Sequence, residues 1–339
     1  MPRIETVTPT AAIPGGEMII RGSGLAPRVG PRPSVHFGEA DAGLMLVTEN
    51  RVVVRVPDGA GDGTVRVVNG NGESAPHPVS IGAQIADNLH PIGNPAVDID
   101  GNIYVTFSGP RGEPVPVSLY KVSSVSGAYS IKPFVTSLTN PSGLALDRWS
   151  NLFVSCRNDG TIHKITPEGH AEQWIEGMGI ATGIAFDGDG NLYVGDRSGT
   201  IFKISPSREI FVFATLEPSV AAYHLAFHPS GDLFVTGPTT SSFDRVYRIT
   251  QGGEVSSYYR GLGRPQGIAF DREGNLYVAA SHLGRRGIVR ITPDSTAEVV
   301  LGGSGLVGLA LLPSGRAILT TNGALFAVDW EVRGLPLLG

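Results

Sequence analysis

A block of eleven residues recurs six times, and it constrains the fold more than any other feature. Its copies are Pro95–Val105, Leu144–Val154, Ile184–Val194, Leu225–Val235, Ile268–Val278 and Leu309–Leu319. The third and fifth copies read Ile-Ala-Phe-Asp-x-x-Gly-Asn-Leu-Tyr-Val, a short apolar run, a Gly-Asn corner and a second apolar run. The corner positions Asn102, Asn151, Asn191, Asp232, Asn275 and Arg316 lie 49, 40, 41, 43 and 41 residues apart. That period fits one four-stranded antiparallel blade, because a third alternating run (Gly199–Ile204) and a fourth (Glu209–Ala214) fill the interval. A lone four-stranded sheet cannot cover both of its faces, but stacking copies radially does. Six units therefore predict a six-bladed β-propeller.

The rest of the chain agrees with an all-β reading. Apolar residues come in runs of four to six bounded by Gly, Pro, Asn and Asp, with almost no helical periodicity. The 46 glycines and 25 prolines supply the turns. Near residue 82 the composition changes: no lysine precedes it, and no repeat is visible there. Two domains are thus expected, 1–82 and 83–339. The stretch Val79–Asp87 (within about 79–89) resembles an orphan fourth strand, while the last unit has a third strand at Ala324–Asp329 and little after it. The expectation is that the orphan strand enters the last blade and closes the ring. The alternative is closure by Gly334–Gly339.

Charge and cysteine content exclude several functions. With 26 basic and 31 acidic residues the net charge is −5, which argues against nucleic acid and against a polybasic membrane clamp. No run approaches a transmembrane segment. The single Cys156 cannot form an internal disulfide or a thiolate zinc cluster. The N-terminus shows no basic-then-apolar leader, so cytoplasmic residence is the default expectation; a cell-surface or periplasmic protein would need a leader already removed.

The repeat, with its trailing Gly-Thr-Ile-x-Lys-Ile, resembles the NHL-repeat propellers and the related senescence-marker-protein/gluconolactonase-like propellers of bacterial and other proteins. Residues 1–82 resemble an IPT/TIG domain, an immunoglobulin-like β-sandwich. The resemblance rests on Ile4–Pro9, Gly15–Gly24, Val35–Gly38, Val52–Pro57 and Gly63–Asn69. It implies a spacer or protein-binding module, and it needs no intersheet disulfide. The lactonase-like resemblance would imply a divalent metal held by Glu and Asn/Asp side chains, with an Asn or Asp just before the inner-strand glycine. Here Ser142, Thr182, Gln266 and Val307 stand in that place, so no metal site and no cofactor is expected. Calcium has one sequence cue only: Asp98–Asn102 and Asp187–Asn191 imitate the start of a calcium loop, but the twelfth position carries Gly109 or Ser198 instead of Glu. A hairpin capped by Asx side chains explains the same residues.

Superposing the repeats predicts a channel mouth. The start of each inner strand contributes Asn94, Gly143, Gly183, His224, Gly267 and Gly308, with Ser142, Thr182, Tyr223, Gln266 and Val307 beside them. The end of each second strand contributes Phe107, Cys156, Asp196, Gly237, Ala280 and Thr321, with Arg157, Arg197, Ser281, His282 and Asn322 beside them. The candidate ligand-binding set is His224, Tyr223, Gln266, Thr182, Asp196, Arg197, Arg157, His282 and Asn322. His224 breaks a glycine column, which fits either a channel hydrogen bonder or base, or a space filler. Asp196 fits either the site or a hairpin cap. His282 lies in an apparent long polar loop with Arg285 and Arg286. Arg157 and Arg197 in adjacent blades could bracket a carboxylate or phosphate, or pair with Asp159 and Asp196. Cys156 reads as packing. No nucleophile elbow, zinc-protease pair or phosphate loop occurs. The expected function is a non-enzymatic binding protein for a protein, peptide or carbohydrate. A divergent lactonase-like hydrolase or lyase, using His224, His282 and Asp196, is the alternative.

Overall fold

The computed structural model describes residues 1–337 apart from 27–29, 62, 111, 114 and 126. Residues 338–339, the end of the alternative closing segment, lie outside the described residues. The described chain contains strands and turns and no helix, hence no helix long and apolar enough to cross a membrane.

The N-terminal sandwich has two sheets. One runs Arg3–Thr8, Glu17–Ser23, Arg51–Arg55, Gly43–Val47. Alternation explains it: Met18, Ile20, Val52 and Val54 point inward and are fully buried, while Arg21 and Arg55 face water. The second sheet brings Val35, Phe37, Val65, Val67, Val79 and Ile81 against them to form one core.

Six four-stranded antiparallel blades follow. Blades 2 to 5 are formed in chain order, beginning at Pro141, Ala181, His224 and Ile268. The second strand of each blade is buried on both faces, as in Leu152–Cys156 and Leu192–Asp196. That burial is why these strands read as unbroken apolar runs rather than alternating ones. The repeated aromatics do the packing between blades. Phe153, Tyr193 and Phe234 each meet the inner-strand phenylalanine of the next blade edge-on: Phe186, Phe227 and Phe270, at 4.9, 5.0 and 4.9 Å between centroids. The Asp-to-Asn corner is a closed hydrogen-bond unit. In blade 5, Asn275 donates both its backbone N–H and its side-chain amide to Asp271, and Tyr277 donates its hydroxyl to the same carboxylate.

In the sixth blade, Leu306–Leu311, Arg316–Thr321 and Leu325–Asp329 are joined by Ala83–Ala86, which pairs antiparallel with Leu325–Asp329. The C-terminal segment instead crosses the bottom of blades 5 and 6, where Gly334 bridges Asp271 and donates to Leu312 O.

The two domains share a sheet. Ala11–Ala12 pairs in parallel with Ser80–Ile81 of the sandwich on one side and with Leu301–Gly302 of blade 5 on the other. Both alanines are completely buried, and Ile13 packs into the cluster between blades 5 and 6. The hairpin Leu276–His282/Arg285–Ile291 turns through Leu283 and Gly284, both at positive φ (49° and 78°). The apparent long loop around His282 is therefore a strand pair.

Candidate functional site

The channel is built from the inner strands. At Gly183 a Cβ would stand 2.3 Å from the carbonyl oxygen of Tyr223, and at Gly308 the same distance from that of Gly93. No side chain fits there, which accounts for the glycine column. The two exceptions fill the space this leaves. Asn94 donates to Ile268 O (2.8 Å) and accepts from Leu309 N (3.1 Å), so one amide ties the first unit to blades 5 and 6. The His224 ring reaches across toward Gly93, where a Cβ would lie 3.3 Å from its Cε1. His224 lines a cavity of about 120 Å³ together with Asn94, Ser142 and Gly143, and among the described residues no charged side chain lines it. Burial pushes its imidazolium down to about 4, so the ring is neutral at pH 7.

Above this floor the channel opens into a second cavity of about 560 Å³, which shares Ile92, Ser142 and Ala222 with the first. Its wall includes Arg157 from blade 2, Arg197 from blade 3, Arg264 and Arg286 from blade 5, and Asn322 from blade 6. Gln266 and His90 add polar groups, while Val307, Leu306 and a few alanines supply apolar surface. No Asp or Glu lines it among the described residues. Arg197 is held in place by carbonyls, with Nη2 donating to Val220 O (2.8 Å) and Nε reaching Ser219 O (3.5 Å), rather than by Asp196. Arg264 enters from a residue at positive φ (48°) just before Pro265. Arg286 stands opposite Ser281 in the blade 5 hairpin.

The candidate residues divide accordingly. Arg157, Arg197, Thr182, Gln266 and Asn322 meet at the wide mouth, and His224 sits in the narrower space beneath. The Thr182 hydroxyl is already committed, donating to Gly195 O (2.8 Å) and accepting from Tyr223 N (3.1 Å). Three residues are elsewhere. The Tyr223 side chain is fully buried between blades 3 and 4, fills the space beside Gly195 and Gly237, and donates its hydroxyl to Glu217 O; only its neighbourhood on the backbone reaches the channel. Burial first, then nearby acids and Tyr247, raises that phenol far above its ordinary range. Asp196 is buried and caps its hairpin, accepting from Ile180 N (2.8 Å), Ser198 N (3.2 Å) and Ser198 Oγ. His282 packs near Tyr259 (6.3 Å between rings) and does not line the mouth. Cys156 is buried, and its thiol is pushed up to about 12 by burial and then by Asp159; Asp159 itself accepts from Thr161. The calcium-like turns are spent internally: Asp98 accepts from the Asn102 backbone, the Asn102 amide and the Tyr104 hydroxyl. Among the described residues no group of three or more His, Cys, Asp or Glu is arranged to hold a metal.

Superposition of repeats missed Arg264 entirely and left Arg286 in a solvated loop. Arg264 precedes the repeated block, and Arg286 lies beyond it, in the second strand of the long blade 5 hairpin.

The comparisons fit this picture. Residues 2–81 match the IPT/TIG domain model. No curated protein matches the chain in sequence. Among solved structures, a protein assigned as a gluconolactonase is 19% identical with a TM-score of 0.60, over 76% of this chain and 94% of that one. An auxiliary nutrient binding protein from Bacteroides thetaiotaomicron is 13% identical with a TM-score of 0.56, over 97% of this chain and 98% of that one. A streptogramin B lyase is 16% identical with a TM-score of 0.52, over 85% and 92%. Such identities speak for fold alone. The chain is an IPT/TIG domain followed by a six-bladed propeller with the fold of gluconolactonase-like and streptogramin-lyase-type proteins.

Proposed function

We propose that this protein is a non-enzymatic binding protein that captures a soluble ligand, the end of a glycan or peptide, at the mouth of the propeller channel. The observation that carries this reading is the mouth itself. Arg157, Arg197, Arg264, Gln266, Arg286 and Asn322, from blades 2, 3, 5 and 6, converge on a cavity of about 560 Å³, a size that suits a compact ligand. The three proton-transfer candidates named from the sequence do not converge with them, and His90 is the single imidazole in the wall among the described residues. Asp196 is consumed as a cap, His282 lies outside the cavity, and His224 is in the narrower space below. The hydrolase or lyase alternative built on these three would need them to act on one bound molecule. The likeness to a nutrient binding protein across both domains supports the same choice. The sandwich then serves as a docked platform beside the mouth.

Glycan and peptide arrays test the reading, with every hit re-measured by calorimetry on wild type and on the Gln266→Leu/Asn322→Leu variant. Affinity at least about tenfold weaker in the variant is expected. A hit whose affinity ignores both substitutions places the site elsewhere. Turnover of a hit, followed by mass spectrometry, would overturn the non-enzymatic reading.

A further inference from the structure

Charge at the mouth runs against the charge of the molecule. The chain carries 31 acidic and 26 basic residues, yet four guanidinium groups and no carboxylate line this cavity among the described residues. Like charges gathered in a concave, partly desolvated wall raise the local potential and repel one another. Surfaces without a ligand usually interleave the two signs, as the outer faces here do. Arg248 pairs with Asp232 and Arg316 with Asp329 on blades 4 and 6. At the mouth, Arg264 and Arg286 are exposed and in no ion pair among the described residues. The nearest acid by sequence, Asp196, is turned away and saturated by Ile180 and Ser198. Below, the neutral His224 and the Asn94 amide offer no counter-charge either.

We propose that the mouth is an oxyanion site, so that the ligand carries two or more acidic groups held by Arg157, Arg197, Arg264 and Arg286. The reading rests on the mouth being the binding site and adds the class of ligand. Guanidinium forks match carboxylate, sulfate and phosphate oxygens in a bidentate fashion. Arg197 is preorganised by the carbonyls of Ser219 and Val220, which use part of its donor set and leave the rest for a ligand. Gln266 and Asn322 supply neutral groups for hydroxyls or amides on the same molecule. The adjoining cleft of about 400 Å³, which shares Arg286 and Gly303, carries Glu17 together with Arg55.

Calorimetric titration with citrate, sulfate and phosphate at matched ionic strength tests this. Saturable binding that weakens with salt is expected. It should fall at least about tenfold in Arg264→Gln/Arg286→Gln and stay unchanged in Arg245→Gln, an exposed arginine of blade 4 that does not line the mouth. Binding of citrate alone assigns a carboxylate ligand; binding of sulfate or phosphate alone assigns a tetrahedral anion. Absence of saturable binding by all three, or binding indifferent to the double variant, overturns the proposal. A neutral array hit that still depends on Gln266 and Asn322 would show that the site reading survives while the anion reading fails.

Discussion

His224 gives a prediction whose size follows from its surroundings. The ring is neutral in the folded chain because burial holds its imidazolium at about 4, against 6.5 for the free side chain. Between these two values the unfolded chain takes up a proton that the folded chain refuses. Stability is therefore fully present above about pH 6.5, declines as pH falls, and stops declining below about pH 4. Each tenfold difference in proton affinity is about 1.4 kcal/mol. The contribution lost between pH 8 and pH 5 is then about 2 kcal/mol, and about 3 kcal/mol once pH 4 is passed. Urea unfolding of wild type and His224→Gln at pH 8 and pH 5 isolates this amount, since His163 and His228, which burial also lowers, are common to both proteins. The wild type should lose about 2 kcal/mol more than the variant on acidification. Equal losses would mean that His224 titrates freely, and so that water or a charged group reaches it in the channel.

Two further outcomes test the architecture. Gly183→Ala should lower stability by at least about 2 kcal/mol in a melting experiment, because its Cβ would overlap the Tyr223 carbonyl; an unchanged melting temperature would refute the packing account of the glycine column. Removal of residues 1–78 strips Ala11–Ala12 from the outer strand of blade 5 and Ile13 from a shared cluster. The uncovered edge should drive self-association on a sizing column, and a monodisperse, wild-type-stable propeller would show the docking to be dispensable.

Much of the fold could be read in the sequence because the repeat repeats its physics. The Asp-to-Asn corners of blades 1, 2, 3 and 5 close their own hydrogen bonds, and Phe153, Tyr193 and Phe234 meet the next blade's Phe, so in these units eleven residues encode a turn, a blade contact or both. The site was less legible. Repeat alignment finds positions, not directions: Tyr223 and His224 are neighbours, yet one ring faces the blade core and the other the channel. It is also blind to residues outside the block, which is how Arg264 escaped notice. Nor does any local pattern announce that Ala11–Ala12, two small residues before a Pro-Gly turn, join two domains. Pairing between strands 290 residues apart is set by tertiary packing alone.

That junction has a mechanical consequence. Ala11–Ala12 and Ser80–Ile81 lie side by side in parallel, and one glycine, Gly82, separates Ile81 from the strand that completes the sixth blade. Tension applied to the sandwich is resisted by parallel strands loaded in shear before it can peel the ring's last strand away. The small domain thus acts as a strain relief at the seam, so that a tug on one end of the molecule need not unzip the wheel.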